Sequence, residues 1–145
     1  MADGAYRESS HVSVVDTATL QKAGRTEEVA KLQASLIDQA WDSAMALNEI
    51  AWAMATSQPM GDLDLAFKAA QRASELRNHQ DAAILDTLAR VYYEKGQLDQ
   101  AIEWQKKAAE QNQGNPEIDA ALKKYETEKA NQSGGANSPE DDAKQ

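Results

Sequence analysis

The chain has 145 residues, no cysteine and a formal net charge of −9. These exclude disulfides, thiolate metal sites and thiol catalysis, and set an acidic surface against nucleic-acid phosphates and anionic lipid headgroups. An apolar fraction of 41% with a single Phe suits one modest domain or a short repeat array whose core is built from small side chains.

Only three prolines and seven glycines interrupt the chain, and Ala, Leu, Glu, Lys and Gln, all good helix formers, dominate it. In chain order, residues 1–16 are polar apart from a β-branched run at Val12, Val14 and Val15. They read as a disordered or remnant N-terminal segment. Residues 17–43 turn helical, with a stop at Gly24 and a new start at Thr26. Thr26 suits an N-cap, and Glu27 and Glu28 suit the helix dipole. Val29, Leu32, Leu36 and Ile37 then share one face at helical spacing.

Residues 44–79 form a helical pair. Leu47, Ile50, Ala51 and Met54 make the first stripe. Pro59 and Gly61 punctuate the turn. Leu63, Ala66, Phe67, Ala70, Ala73 and Leu76 make the second stripe, with Asp62 or Asp64 placed to cap its helix. Residues 80–115 repeat the plan. Ile84, Leu88, Val91 and Tyr92 lie on one helix; Leu98, Ala101, Ile102, Gln105, Ala108 and Ala109 lie on the next. Asn115 and Pro116 open a last helix over 116–130, Asn115 as cap and Pro116 at the first helical position, where its missing N–H costs nothing. Its one apolar stripe is Ile118, Ala121, Leu122 and Tyr125, so it reads as a solvating cap. Residues 131–145 hold nothing apolar larger than alanine and read as a disordered acidic tail.

Little in the chain promises chemistry. His11 and His79 lack a second ligand at helical or short-loop spacing. Asp62 and Asp64 open like a calcium loop but lack its third acid, central glycine and bidentate glutamate. The carboxylates sit on polar faces, and no nucleophile–base pair, phosphate-cradling loop or basic patch is visible. No metal or cofactor is expected. No apolar run is long enough to span a bilayer and no signal peptide is visible, so a soluble chain is expected. Its compartment, cytoplasmic or periplasmic if excised from a secreted protein, stays open.

The two central blocks match each other. Each carries a bulky residue followed by Ala (Ile50–Ala51; Leu88–Ala89). Each has Gly three residues before Asp (Gly61, Asp64; Gly96, Asp99), then two alanines seven apart (Ala66, Ala73; Ala101, Ala108). Small residues at such positions let paired helices approach closely. This pattern resembles the tetratricopeptide repeat, a helix-turn-helix unit of about 34 residues. In the second block Leu88–Ala89 resembles the family's Leu-Gly step, Tyr92 its aromatic and Gly96 its turn glycine. Leu85 stands in place of the initial aromatic and Gln113 in place of the later proline. The first block is looser, with Met54 where a tyrosine is usual and a longer turn. It also resembles a divergent repeat of secreted or multi-domain bacterial proteins. The step from Val29 to Ala51 equals that from Ala101 to Lys123, so residues 17–43 are read as a degenerate first repeat. The expected fold is all-α, a helix-turn-helix repeat array of two clear repeats, a degenerate first one and a C-terminal capping helix.

Such arrays use the first helix of each pair to line a concave binding surface. Helical phase picks out Met45, Asn48 and Trp52 in the first unit and Asp86, Arg90, Tyr93 and Glu94 in the second. Aromatics and Arg are enriched at binding hot spots. For Trp52 and Tyr93, packing inside the array remains the competing reading, and for Trp41 and Trp104 packing between repeats is the favoured one. A tetratricopeptide subclass that grips a C-terminal carboxylate with Lys and Asn is matched only by Asn48 and Arg90, with Asp86 intruding. The expected function is a non-catalytic scaffold for a protein or peptide with basic and apolar residues, without nucleic acid or membrane insertion. The alternative is a structural appendage of a larger protein or an oligomerisation domain, and a homo-oligomer is left open.

Overall fold

A computed structural model describes residues 26–58 and 60–135. The valine run, the Thr17–Gly24 stretch, His11, Pro59 and the chain beyond 135 lie outside them. Among the described residues six helices follow in order: α1 Thr26–Gln39, α2 Ala44–Thr56, α3 Leu63–Leu76, α4 Ala82–Glu94, α5 Leu98–Gln111 and α6 Pro116–Gly135. The lengths alternate with the repeat. α2 and α4 have 13 residues each, whereas α3 and α5 have 14. The architecture is an all-α helix-turn-helix repeat array. α2 packs on α3 and α4 on α5, α4 also packs against α2 and α3 of the pair before it, and α6 closes on α5.

Polar side chains start the helices where the sequence provides them. The Ser43 hydroxyl accepts the Ala46 N–H. One carboxylate oxygen of Asp62 accepts from Asp64 and Leu65, and one of Asp81 from Ala83 and Ile84. The Asn115 amide oxygen accepts from Glu117 and Ile118. Each satisfies N–H groups that a helix leaves without partners. The expected cap at Thr26 falls at the edge of the described residues.

Alanine forms the middle of the core. Ala51, Ala55, Ala66, Ala69, Ala70, Ala73, Ala89, Ala101 and Ala108 have no exposed surface. With only a Cβ to accommodate, the backbones come together, and Leu47, Leu85, Leu88 and Val91 fill the spaces between them. Phe67 and Tyr92 join the two pairs edge to face, with centroids 5.1 Å apart. Val29, Gln33 and Ile37 form the buried line of α1; Leu32 and Leu36, expected with them, are half-buried. Gln33 is there because its Oε1 reaches the Asp62 N–H at 3.4 Å. The aligned turn glycines differ in purpose. Gly96 has φ +81° with open space around it, a left-handed position that closes α4 before α5. Gly61 lies so close to α2 that a Cβ would fall 3.0 Å from the Met54 Cβ.

α6 runs five residues beyond its expected end at 130. Residues 131–135 therefore lie in helix, not in the tail expected from 131. The Asn-Gln-Ser composition suggested a stop, but extending a docked helix costs little once its nucleus is in place. Tyr125 is 3% exposed, packed with Ala89, Leu98 and Ala101. Ion pairs Lys129–Asp99 at 2.7 Å and Lys106–Glu126 at 3.9 Å edge the seam between α5 and α6. Among the described residues no helix is long and apolar enough to cross a membrane.

Candidate functional site

The seven residues selected by helical phase come from α2 and α4, which pack side by side as the first helices of their pairs. Met45 and Trp52 are two turns apart on one face of α2, at 65% and 40% exposure the two exposed large hydrophobics among the described residues. Asn48 lies between them, half-buried, with its amide oxygen covered and without a hydrogen-bond partner. On α4 the Arg90 guanidinium lies 5.6 Å from the Trp52 ring centroid, which links the two helices across this face through the ring's electron-rich surface. Arg90 Nε also donates to Glu94 Oε2 at 2.7 Å, one turn on. Arg90 thus holds the indole and a carboxylate together.

Asp86 and Tyr93 turn inward instead. Asp86 Oδ1 accepts from Gln105 Nε2 on α5 at 2.7 Å. Burial raises the Asp86 pKa above the ordinary carboxylate value and Glu117 adds to the rise; the Gln105 bond and the Arg90 charge oppose it. The Tyr93 ring stacks on Tyr125 of α6 at 4.6 Å, the Lys124 ammonium sits 5.0 Å over it, and its hydroxyl donates to Glu128. That hydrogen bond, then burial, pushes the Tyr93 hydroxyl up to about 12; burial raises Tyr125 further. Both phenols stay neutral across the physiological range. Tyr93 therefore fastens α6 to the face on which helical phase placed it. Phase on α4 could not reveal this, because α6 reaches that face only in three dimensions. The signal available was the spacing that made α6 the counterpart of a first helix, which puts Tyr125 and Glu128 next in the row.

Trp41 occupies the turn between α1 and α2, its ring flanked by Lys68 at 5.4 Å and Arg72 at 5.1 Å. Arg72 also donates to the Trp41 carbonyl and pairs with Asp42. Trp104 borders all three clusters of the core and meets His79 at 5.4 Å. Both support packing between neighbouring elements.

One pairing was invisible in the sequence. Ser74 Oγ and His79 Nδ1 are 2.6 Å apart, within reach of a nucleophile and its base. Ser74, however, is 1% exposed, so a substrate cannot meet its oxygen. The His79 N–H also donates to the Ser74 carbonyl, while Asn78 and His79 both take positive φ. The pair ends α3 by satisfying its last groups. Among the described residues no group of three or more His, Cys, Asp or Glu side chains could hold a metal ion. Asp62 serves as a helix cap.

Residues 60–125 match the family model described as tetratricopeptide repeat. The match spans α3, α4, α5 and the first half of α6. No curated protein matches the chain. The comparison and the helix packing agree on a repeat region in an all-helical protein.

Proposed function

We propose that the face formed by α2 and α4 and bordered by α6 is a binding surface for an extended protein or peptide segment carrying basic and apolar side chains, and that the domain works by presenting it, without catalysis. The observation that carries this reading is the Met45–Trp52 pair. Two large apolar side chains stand exposed on one helix face, while the other large apolar groups among the described residues are covered or half-covered. Exposed apolar groups grouped in this way mark contact sites more often than isolated ones do. The position agrees with the habit of helical repeats, whose first helices line the concave surface.

Charge supplies the second half of the recognition. Glu94 and Glu128 border this face, and the net charge of −9 adds long-range attraction for a cationic segment. Arg90 is occupied by Glu94 and Trp52, which leaves the ligand's cations to the acidic rim and its apolar groups to Met45 and Trp52. The appendage alternative requires a Trp52 shielded within the chain's own packing; its 40% exposure favours the surface.

Selection of linear peptides from a random display library on the immobilised protein tests the proposal. Enriched sequences are expected to pair Lys or Arg with a large apolar residue. They should lose about a hundredfold in affinity on Trp52→Ala, as for removal of a hot-spot aromatic. A failure to enrich any sequence, or equal binding to Trp52→Ala, overturns it.

A further inference from the structure

Gln105 is fully buried at the point where α4, α5 and α6 meet. Its Nε2 donates to Asp86 Oδ1 at 2.7 Å and to the Ile118 carbonyl at 3.1 Å. Both partners are acceptors, which fixes which end of the side chain is nitrogen. Its Oε1, equally buried, has no partner. A buried acceptor without a donor is costly, and this one shares a carbon with the nitrogen already bonded to Asp86. A carboxylic acid and a primary amide pair through two parallel bonds, amide N–H to acid C=O and acid O–H to amide C=O. With Asp86 ionised only the first can form, because a carboxylate has no hydrogen to give.

We propose that Asp86 is a proton-dependent latch: when it takes up a proton, its O–H donates to Gln105 Oε1 and closes a two-bond acid–amide pair that ties α4 to α5 and, through Gln105 and Ile118, to α6. Burial raises the Asp86 pKa, while the existing Gln105 bond and the Arg90 charge lower it, so burial already favours the protonated form that the latch uses. The charged groups around it are Arg90 on its own helix and Glu117 on α6. Tyr125 of α6 senses Asp86 as well but stays neutral. Protonation therefore removes a carboxylate that faces Arg90 and leaves Glu94 as the carboxylate bonded to it. The latch stands on the packing of the three helices and does not depend on the face binding a peptide.

Two measurements on the full chain test it. The first follows the Asp86 carboxyl carbon by NMR against pH in the wild type and in Gln105→Met. If Gln105 acted only as a donor to the carboxylate, its loss would raise the Asp86 pKa. The latch requires the opposite, a lower titration midpoint in Gln105→Met. A midpoint that rises or stays put overturns it. The second serves equally if Gln105→Met does not fold. Asp86→Asn supplies a permanent N–H in place of the acid O–H, so an NMR coupling across the hydrogen bond is expected from the new side-chain nitrogen to the Gln105 side-chain carbonyl carbon. The melting temperature should also be raised at neutral pH, with the gap to wild type narrowing as the solution is acidified. Absence of that coupling, or a gap that does not change with pH, overturns the latch.

Discussion

Gly61 and Gly96 occupy the same place in the repeat and would fail differently. At Gly96 an added Cβ meets nothing within 4 Å, so Gly96→Ala should cost about 1 kcal/mol through the positive φ alone. At Gly61 the Cβ would stand 2.9 Å from Gln33 Nε2 and 3.0 Å from Met54 Cβ. Gln33 can swing away, but Met54 Cβ is fixed to the α2 backbone, so Gly61→Ala should cost about 1–3 kcal/mol by overpacking. Urea denaturation of the two variants, with a Gly61→Ser control that is no better tolerated, checks both. Ala101, with no exposed surface, should be as intolerant of size: Ala101→Leu is expected to lose about 1–3 kcal/mol, and an unchanged thermal melt would contradict the alignment of the two units. The alanines were legible because their spacing repeats on one helix face. Buried Ser74 and the Ser74–His79 contact were not, because they depend on how the chain turns back after α3, and two successive non-glycine residues at positive φ give no sequence signal.

Among the elements, α6 has the least conventional role. Its sequence reads as a cap with one thin apolar stripe, and the structure places it as one more first helix, anchored by Tyr125 beneath and by Tyr93, Lys129 and Lys106 at the edges. Tyr125 is 3% exposed, so Tyr125→Ala should remove the anchor and cost about 3–5 kcal/mol, in the range for a large buried aromatic. Hydrogen exchange resolved by residue should show α6 losing protection first, with α2 and α3 least affected; uniform loss along the chain would contradict a separately docked helix. The starts of α3 and α6 were readable from Asp62, Asn115 and Pro116, since caps act locally. The end of α6 was not, because composition near a helix end says little about how far a docked helix runs. The pH behaviour of the same seam follows from Asp86. Its folded pKa is raised, so the native state binds the proton more readily than the unfolded chain. Its contribution to stability therefore grows as pH falls through the folded pKa and is lost as pH rises. A melting temperature followed downward from neutral pH in wild type, against a flatter Asp86→Asn profile, checks the sign.

At the scale of the whole molecule, a short array of helix pairs carries Met45 and Trp52 as the exposed large apolar side chains among the described residues. Helical phase set Met45 and Trp52 off the packing stripe, and both are exposed, but it did the same for Asp86 and Tyr93, which pack against α5 and α6. How the face is partitioned needed coordinates: Trp52 is held by Arg90 from the next pair, whereas Tyr93 is taken by α6. Trp52→Ala should thus cost less than about 2 kcal/mol in stability, well below the roughly 3–5 kcal/mol of a shielded Trp, and circular dichroism melts would show it. The most direct test of the binding surface is an amide chemical-shift map of the labelled protein titrated with a linear peptide, selected on it, that contains Lys and Leu. The shifts are predicted to concentrate on Met45, Asn48, Trp52, Arg90 and Glu94. Shifts concentrated on α1, α3 and α5, the second helices, would contradict the account.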